Sequence, residues 1–246
     1  MHKPTQRVLQ VLELLCECGQ PQRLTQISQA LDVPKSTLLP ILQTMVESGF
    51  VSRDASEKYS PGVALLRTGA AARAVYSRDQ EIRDCLQVLV DTFGETCYYG
   101  VLDGSNVLYM EKVDSPQSLR MLTTIGRRMP AYATGLGKAL LLDHTDGQLK
   151  ALYRDKLEPL TKNTVKDIAA LSSQLRQARQ TGYTWEVEES TEHIRCFGVP
   201  VRRDGAIVGA VSIAIPLFRY REEKKEEIIA ALQKTAQRLS DTIKFL

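Results

Sequence analysis

The chain has 246 residues, five cysteines and a net charge of +3, enough length for one or two domains. The cysteines (Cys16, Cys18, Cys85, Cys97, Cys196) are odd in number and lack Cys-x-x-C spacing, which argues against a disulfide framework and a zinc cluster and favours reduced, mostly buried thiols. No apolar run is long enough to span a bilayer and no secretory leader is evident, so the expectation is a cytoplasmic chain starting at Met1, with no membrane partner, metal or cofactor.

Taken in chain order, the first predicted helix runs from Thr5 to Cys18, with Val8, Val11, Leu12 and Leu15 at helical spacing and Gly19 as its stop. A short helix, Thr25 to Leu31, breaks at Asp32-Val33-Pro34. A third opens with Lys35-Ser36-Thr37 and ends at Gly49. Two short strands follow, Phe50 to Arg53 and Lys58 to Ser60. A helix, a tight turn and a second helix that begins with small polar and basic side chains lays one helix in a DNA major groove. The hairpin behind it reaches flanking phosphates.

Charge tempers that reading. Residues 1–60 hold six basic side chains (Lys3, Arg7, Arg23, Lys35, Arg53, Lys58) and six acids (Glu13, Glu17, Asp32, Glu47, Asp54, Glu57). A neutral segment binds phosphate weakly unless its cations are gathered. Lys35, Arg53 and Lys58 fall on the helix start and the hairpin, the productive places. Pro40 is awkward. With Ser36 as N-cap it would cost little; with the helix starting at Pro34 it lies inside and disrupts a turn. Ser36 and Thr37 suit capping as well as DNA contact.

An alanine-rich stretch, residues 63–78, reads as a helical linker, with Val63, Leu66, Ala70 and Ala74 along one side as a partner face. A helix from Asp79 to Phe93 follows. Beyond residue 95 the pattern becomes β-rich. Thr96–Leu102 and Val107–Val113 form a hairpin, and Leu119–Thr124 reads as a further strand. Helices are expected at 135–142, 146–154 and 167–181, a strand at Tyr183–Glu188, a hairpin from Arg195–Val201 to Ala206–Ile215, and a last helix from Arg221 to Phe245. Antiparallel strands with helices between them make an α+β domain.

Three stretches invite chemistry. Residues 133–138, ATGLGK, lack the first glycine and the final Ser or Thr of a phosphate loop. They read instead as a strand-to-helix turn, whose free N–H groups suit a carboxylate. Cys196 with His193 lacks the orienting third group that a thiol nucleophile needs, and a buried small hydrophobe is the plainer reading. The acidic run Glu186, Glu188, Glu189 reads by default as a solvated face, with Glu186 and Glu188 on one side of a strand and Trp185 on the other.

Over nearly its full length the chain resembles the IclR family of bacterial transcriptional regulators. The N-terminal match lies in RVLQVLELL, LTQISQAL, DVPKST, SGFVSRD and KYSPG; the C-terminal match lies in IGRRMPAYATGLGKALL, GYTWEVEESTEHIRCFGVPV and IVGAVSIAIP. The resemblance implies a winged helix-turn-helix domain (1–61), a helical linker (62–78) and a GAF-like effector-binding domain (79–246). It implies a homodimer or tetramer on a double-stranded DNA operator, a small organic acid as effector, control of a catabolic operon, and repression as the commoner behaviour. Aligning the motifs places Met121, Met129, Gly135, Leu136, Glu186, Ile194, Cys196, Ser212 and Ala214 at effector-pocket positions. Glu186 stands where an aspartate is typical, Leu136 where a smaller residue is common, and Ala214 where some members carry serine. Pro40 replaces an often basic residue.

The expected function is therefore a ligand-responsive DNA-binding regulator and not an enzyme. Lys35, Ser36, Thr37, Thr44, Arg53 and Lys58 are the candidate DNA contacts. Two rival readings are a cysteine-dependent enzyme acting on a small acid and a metabolite-binding module without DNA binding.

Overall fold

The computed structural model describes residues 2–76, 79–121, 123–154 and 156–242, with side chains for all of these except 72–76, 79 and 242. They form two compact units, Met1–Ser77 and Arg78–Leu246.

The first unit opens with α1 (Lys3–Cys18), which stops at Gly19 in the left-handed conformation, as its sequence suggests. The two-residue strand β1 (Gln22–Arg23) leads into α2 (Leu24–Leu31). The Gln26 side chain accepts from the Arg23 amide at 2.8 Å and fixes that helix start. Asp32 takes a positive φ, and the Val33 amide donates to the Ser28 carbonyl while the Ser28 hydroxyl donates to the Val33 carbonyl. These bonds lock the tight turn before α3 (Lys35–Glu47). Strands β2 (Val51–Arg53) and β3 (Lys58–Pro61) pair antiparallel, and β1 adds to the far edge of β3. Sequence reasoning missed β1, because a two-residue strand carries no periodicity. Val11, Leu15, Ile27, Leu38, Leu42, Met45, Val51 and Tyr59 close one small core. Helix α4 (Ala64–Tyr76) follows. Its Val63 and Leu66 flank is exposed, as is Ala70, while the Ala74 side chain lies outside the described residues.

The second unit holds a six-stranded antiparallel sheet. Its strands are β4 (Thr96–Asp103), β5 (Asn106–Val113), β6 (Arg128–Pro130), β7 (Thr184–Val187), β8 (Ile194–Arg203) and β9 (Ala206–Pro216), in the order β6-β5-β4-β9-β8-β7. Side-chain alternation divides the sheet into two faces. On one, Cys97, Tyr99, Phe197, Val199, Val211, Ile213 and Ile215 pack against α5 (Asp79–Phe93) and α9 (Lys225–Thr242). On the other, Tyr98, Cys196, Ala210 and Ala214 lie under the short helix α6 (Gly135–Leu140). Helices α7 (Asp146–Tyr153) and α8 (Ile168–Thr181) close a further core beside α6.

The strand expected at Leu119–Thr124 does not form; Leu122 lies outside the described residues. The Thr124 carbonyl accepts from the Arg127 amide in a local turn at 3.1 Å, and two others meet side chains instead of a ladder. Arg219 donates to the Leu119 carbonyl at 2.9 Å and Tyr98 to that of Met121 at 3.4 Å. The short β6, downstream, takes the edge beside β5.

Candidate functional sites

In the first unit the candidate DNA surface is the outer side of α3. The cap of this helix is Pro34, with no side-chain cap bond. Ser36 therefore does not cap, and the reading in which it shields Pro40 from the helix interior fails. Pro40 lies inside α3 and leaves the Ser36 carbonyl without its amide donor. Ser36 is exposed, so that solvent can satisfy this carbonyl. Lys35 and Ser36 are exposed, Thr37 is half-buried, and the side chains of all three lack a partner among the described residues. Thr44 is exposed, but its hydroxyl donates back to the Pro40 carbonyl at 3.1 Å, so it is partly engaged within the helix. Leu39, Pro40 and Gln43 share the exposed side with Ser36. Gln43 went unnoticed in the sequence, although its seven-residue spacing from Ser36 marks the same face.

The wing is less free than its cations suggest. Arg53 pairs with Glu57 and stacks over the Tyr59 ring at 5.8 Å. Asp54 ties the hairpin turn by accepting from the Ser56 and Lys58 amides at 2.8 and 3.0 Å. Lys58 is half-buried at the strand start. The wing tip thus carries acids beside its two bases.

In the second unit the nine candidate effector residues gather about the sheet face under α6: six on strands, Gly135 and Leu136 at the start of α6, and Met121 outside the regular elements. Glu186 pairs across the ladder with Cys196, and Cys196 with Ala214. Ser212 sits between Gly198 and Tyr98. Leu136, Ile194, Cys196 and Ala214 share one cluster with Met121 and Met129 packed against it. Gly135 approaches β8 so closely that an added Cβ would lie 3.0 Å from that of Cys196. One on Gly198 would meet the Gly135 carbonyl oxygen at 2.4 Å. Two glycines are what let α6 rest on the sheet.

A cavity of about 330 Å³ opens over this face, lined by Arg120, Met121, Thr123, Arg127, Met129, Thr191, Glu192 and Ile194. Three of the nine candidates therefore border open space. Gly135, Leu136, Glu186, Cys196, Ser212 and Ala214 lie buried behind it. The Ser212 hydroxyl has no partner among the described residues.

The acidic run is not a solvated face. Glu186 is 0 % exposed and Glu189 6 %. Glu186 accepts from the Glu189 amide at 2.7 Å and from the Ser190 hydroxyl at 3.2 Å, so it shapes the turn between β7 and β8. Glu188 leaves the strand at a positive φ and does not share Glu186's surroundings. Glu189 forms a buried ion pair with Lys138 of α6 at 2.5 Å and accepts from the Val165 amide at 3.2 Å. Burial raises the Glu186 pKa above the ordinary carboxylate value and lowers that of Lys138, which Glu189 opposes.

Cys196 is buried, and desolvation followed by the Glu186 charge pushes its thiol well above the usual value. His193 stands outside β8 with an exposed ring near Glu188. A buried thiol with a raised pKa is inert, and its neighbour Glu186 holds it as a thiol instead of drawing off the proton. In ATGLGK, Thr134 caps α6 by accepting from the Gly137 amide at 2.8 Å, and Lys138 is spent on Glu189. That arrangement leaves no lysine to meet a nucleotide phosphate.

The domain models for the IclR helix-turn-helix domain and for the bacterial transcriptional regulator IclR C-terminal region match residues 4–55 and 77–241. The chain belongs to the IclR family. Among IclR relatives it is 34 % identical over 242 residues to the transcriptional regulator KdgR of Escherichia coli K12, covering 95 % of this chain and 90 % of that one. The fold matches an IclR regulator structure from Alicyclobacillus acidocaldarius with a TM-score of 0.85 at 24 % identity, over 99 % of both chains. It also matches an IclR homologue of Microbacterium hydrocarbonoxydans complexed with 4-hydroxybenzoate, with a TM-score of 0.77 at 22 % identity, over 98 % of this chain and 99 % of that one.

Family membership makes this IclR chain a ligand-responsive DNA-binding transcriptional regulator and not an enzyme. Its second unit is the α+β, GAF-like effector domain of the family. No helix among the described residues is long and apolar enough to cross a membrane.

Proposed function

We propose that α3 reads the operator through Lys35, Ser36, Thr37 and Gln43, with Thr44 secondary and with Arg53 and Lys58 holding phosphates from the wing. The observation that supports this most is the uncapped, unpartnered polar start of α3: Lys35 and Ser36 serve no fold-stabilising contact. A glutamine on the same side suits bidentate pairing with adenine. Selection of binding sites from random duplexes tests it. Gln43→Ala and Ser36→Ala should change the preferred sequence, and Lys35→Ala should weaken all sites alike. Unchanged preference and affinity in all three variants contradicts the docking.

The effector domain, on this proposal, takes a small organic acid on the sheet face under α6. Met121, Met129, Leu136, Ile194 and Ala214 supply apolar walls, and the free Ser212 hydroxyl a polar point. Cys196 and Glu186 form the floor. A structural neighbour complexed with a hydroxybenzoate is in keeping with such a ligand. Gly135→Val is a poor probe, because a branched side chain there collides with β8. Ser212→Ala keeps the packing and should weaken the acid; an unchanged dissociation constant by calorimetry would move the site elsewhere.

The partition into a DNA-binding domain (1–61), a linker (62–78) and an effector domain (79–246) completes the proposal. One winged helix covers a single half-site, so a homodimer or tetramer is expected on a palindromic operator. The exposed Val63 and Leu66 support α4 as its partner face. Sedimentation should find no monomer at micromolar concentration, and a species still monomeric on DNA would refute the assembly. The chain acts in the cytoplasm, as a repressor of a catabolic operon.

A further inference from the structure

We infer that Leu39 and Pro40 form an apolar strip on α3 that reads thymine methyl groups in the major groove, so that the operator half-site carries thymine beside the adenine met by Gln43. This inference rests on the proposed docking of α3 and deepens it. Among the described residues of α3, Leu39 alone of the leucine, isoleucine, valine and methionine side chains is exposed, at 39 %. Leu38, Leu42 and Met45 already fill the core side of the helix, so its packing does not require Leu39. Pro40 beside it is exposed as well. A proline inside a helix removes a hydrogen bond and strains the preceding turn, so helix stability does not explain its presence. Helical spacing sets Leu39 and Pro40 on either flank of the row formed by Ser36 and Gln43. Both fall in the first two turns of α3, the part of a recognition helix that meets base edges.

The surroundings decide what the strip fits. Lys35, Ser36 and Gln43 are exposed beside it, and a polar helix start with a cation suits a polyanion. Within a major groove an apolar strip has one counterpart. Thymine presents a 5-methyl group there, whereas the other signals on the base edges are hydrogen-bond donors and acceptors. Leucine and the proline ring offer no hydrogen bond in return, so a donor or acceptor pressed against them would lose its water without replacement. Leu39 and Gln43 are four residues apart, which places their Cβ atoms about 5–6 Å from each other. Base pairs follow one another at about 3.4 Å. The thymine read by Leu39 therefore lies within about two base pairs of the adenine read by Gln43.

The full chain is titrated with the duplex recovered by selection from random sequences. Each thymine of a half-site is replaced singly by deoxyuridine, which keeps the base pair and its hydrogen-bonding groups and removes only the methyl. Beside the adenine that Gln43→Ala ceases to select, wild-type affinity should fall about fourfold per methyl, equivalent to about 0.8 kcal/mol. Leu39→Ala should bind the thymine duplex about fivefold more weakly and lose most of its response to deoxyuridine at one position. Pro40→Ala should lose its response at another, while melting at a higher temperature than the wild type. Alanine favours helix at both exposed positions, and thermal melts check that both variants fold. A selected half-site without thymine beside that adenine, or a wild type indifferent to every deoxyuridine, overturns the strip. So does a deoxyuridine penalty that both alanine variants keep in full. If Gln43→Ala still shifts the preferred base in those cases, the docking of α3 stands without the strip. If Lys35→Ala, Ser36→Ala and Gln43→Ala all leave binding unchanged, both fall.

Discussion

The two faces of the effector-domain sheet use the same strands for different ends. The face against α5 and α9 is an apolar core of valine, isoleucine, leucine and aromatic side chains. The face under α6 buries Glu186, Glu189, Lys138, Thr184 and Ser212 among its apolar groups. Burying charge costs stability unless it is paired and hydrogen-bonded. The apolar face builds the fold; the polar face stores unfavourable burial where a ligand is expected.

The sharpest way to break this contrast is to remove Lys138. Lys138→Met leaves Glu189 buried without its cation and should cost about 3–5 kcal/mol. The double variant Lys138→Met with Glu189→Gln should recover most of that loss, since both charges go. Urea denaturation measures both; a single variant as stable as the wild type would show that the pair does not hold the polar face.

On the apolar face, Leu86→Ala and Leu232→Ala, both fully buried, should each cost about 2–5 kcal/mol. Acid affinity at temperatures below melting should stay unchanged. Loss of affinity without loss of stability would erase the division between the faces.

A smaller effect is expected from pH. The Glu186 pKa is raised in the folded chain by burial. Its contribution to stability is therefore fully present below the unfolded pKa and is lost as pH rises through the folded one. Compared with Glu186→Gln, the wild type should lose relative stability as pH rises above the ordinary carboxylate range, from about pH 4 upward. A constant difference across that range would contradict the raised pKa.

Smaller still are the DNA-domain charges. Lys35→Ala should lower the slope of log affinity against log salt by about 1. Arg53→Ala should change it less, because Arg53 is already paired with Glu57. Glu57→Gln should tighten binding. Anisotropy titrations at several salt concentrations read all three, and equal slopes would remove the wing from the contact surface.

The same contrast explains what was legible in the sequence. The helix-turn-helix was readable because its signals are local: Gly19, the Asp32-Val33-Pro34 turn and the heptad-like spacing of Leu38, Leu42 and Met45 need no distant partner. The strands of the sheet were readable as β-rich runs across turns, but not which residues share a face, because the central strands are buried on both sides. The nine effector positions came through resemblance, and the structure gathers them about one face. The burial of Glu186 and Glu189 was not readable. Lys138, which pairs with Glu189, lies 51 residues away in sequence, and an acidic run defaults to solvent. The strand expected at Leu119–Thr124 failed for the converse reason: its residues favour β, but side chains meet the Leu119 and Met121 carbonyls and a local turn takes that of Thr124.

The most direct test of the whole account is one titration. A fluorescent duplex recovered by binding-site selection is titrated with the full chain at physiological salt, with and without a small organic acid found by calorimetry to bind it. The account predicts a sequence-specific complex whose affinity the acid shifts by about fivefold or more, and whose shift is weakened in Ser212→Ala while apo binding persists. An affinity that ignores the acid, or a chain that binds every duplex alike, would contradict it.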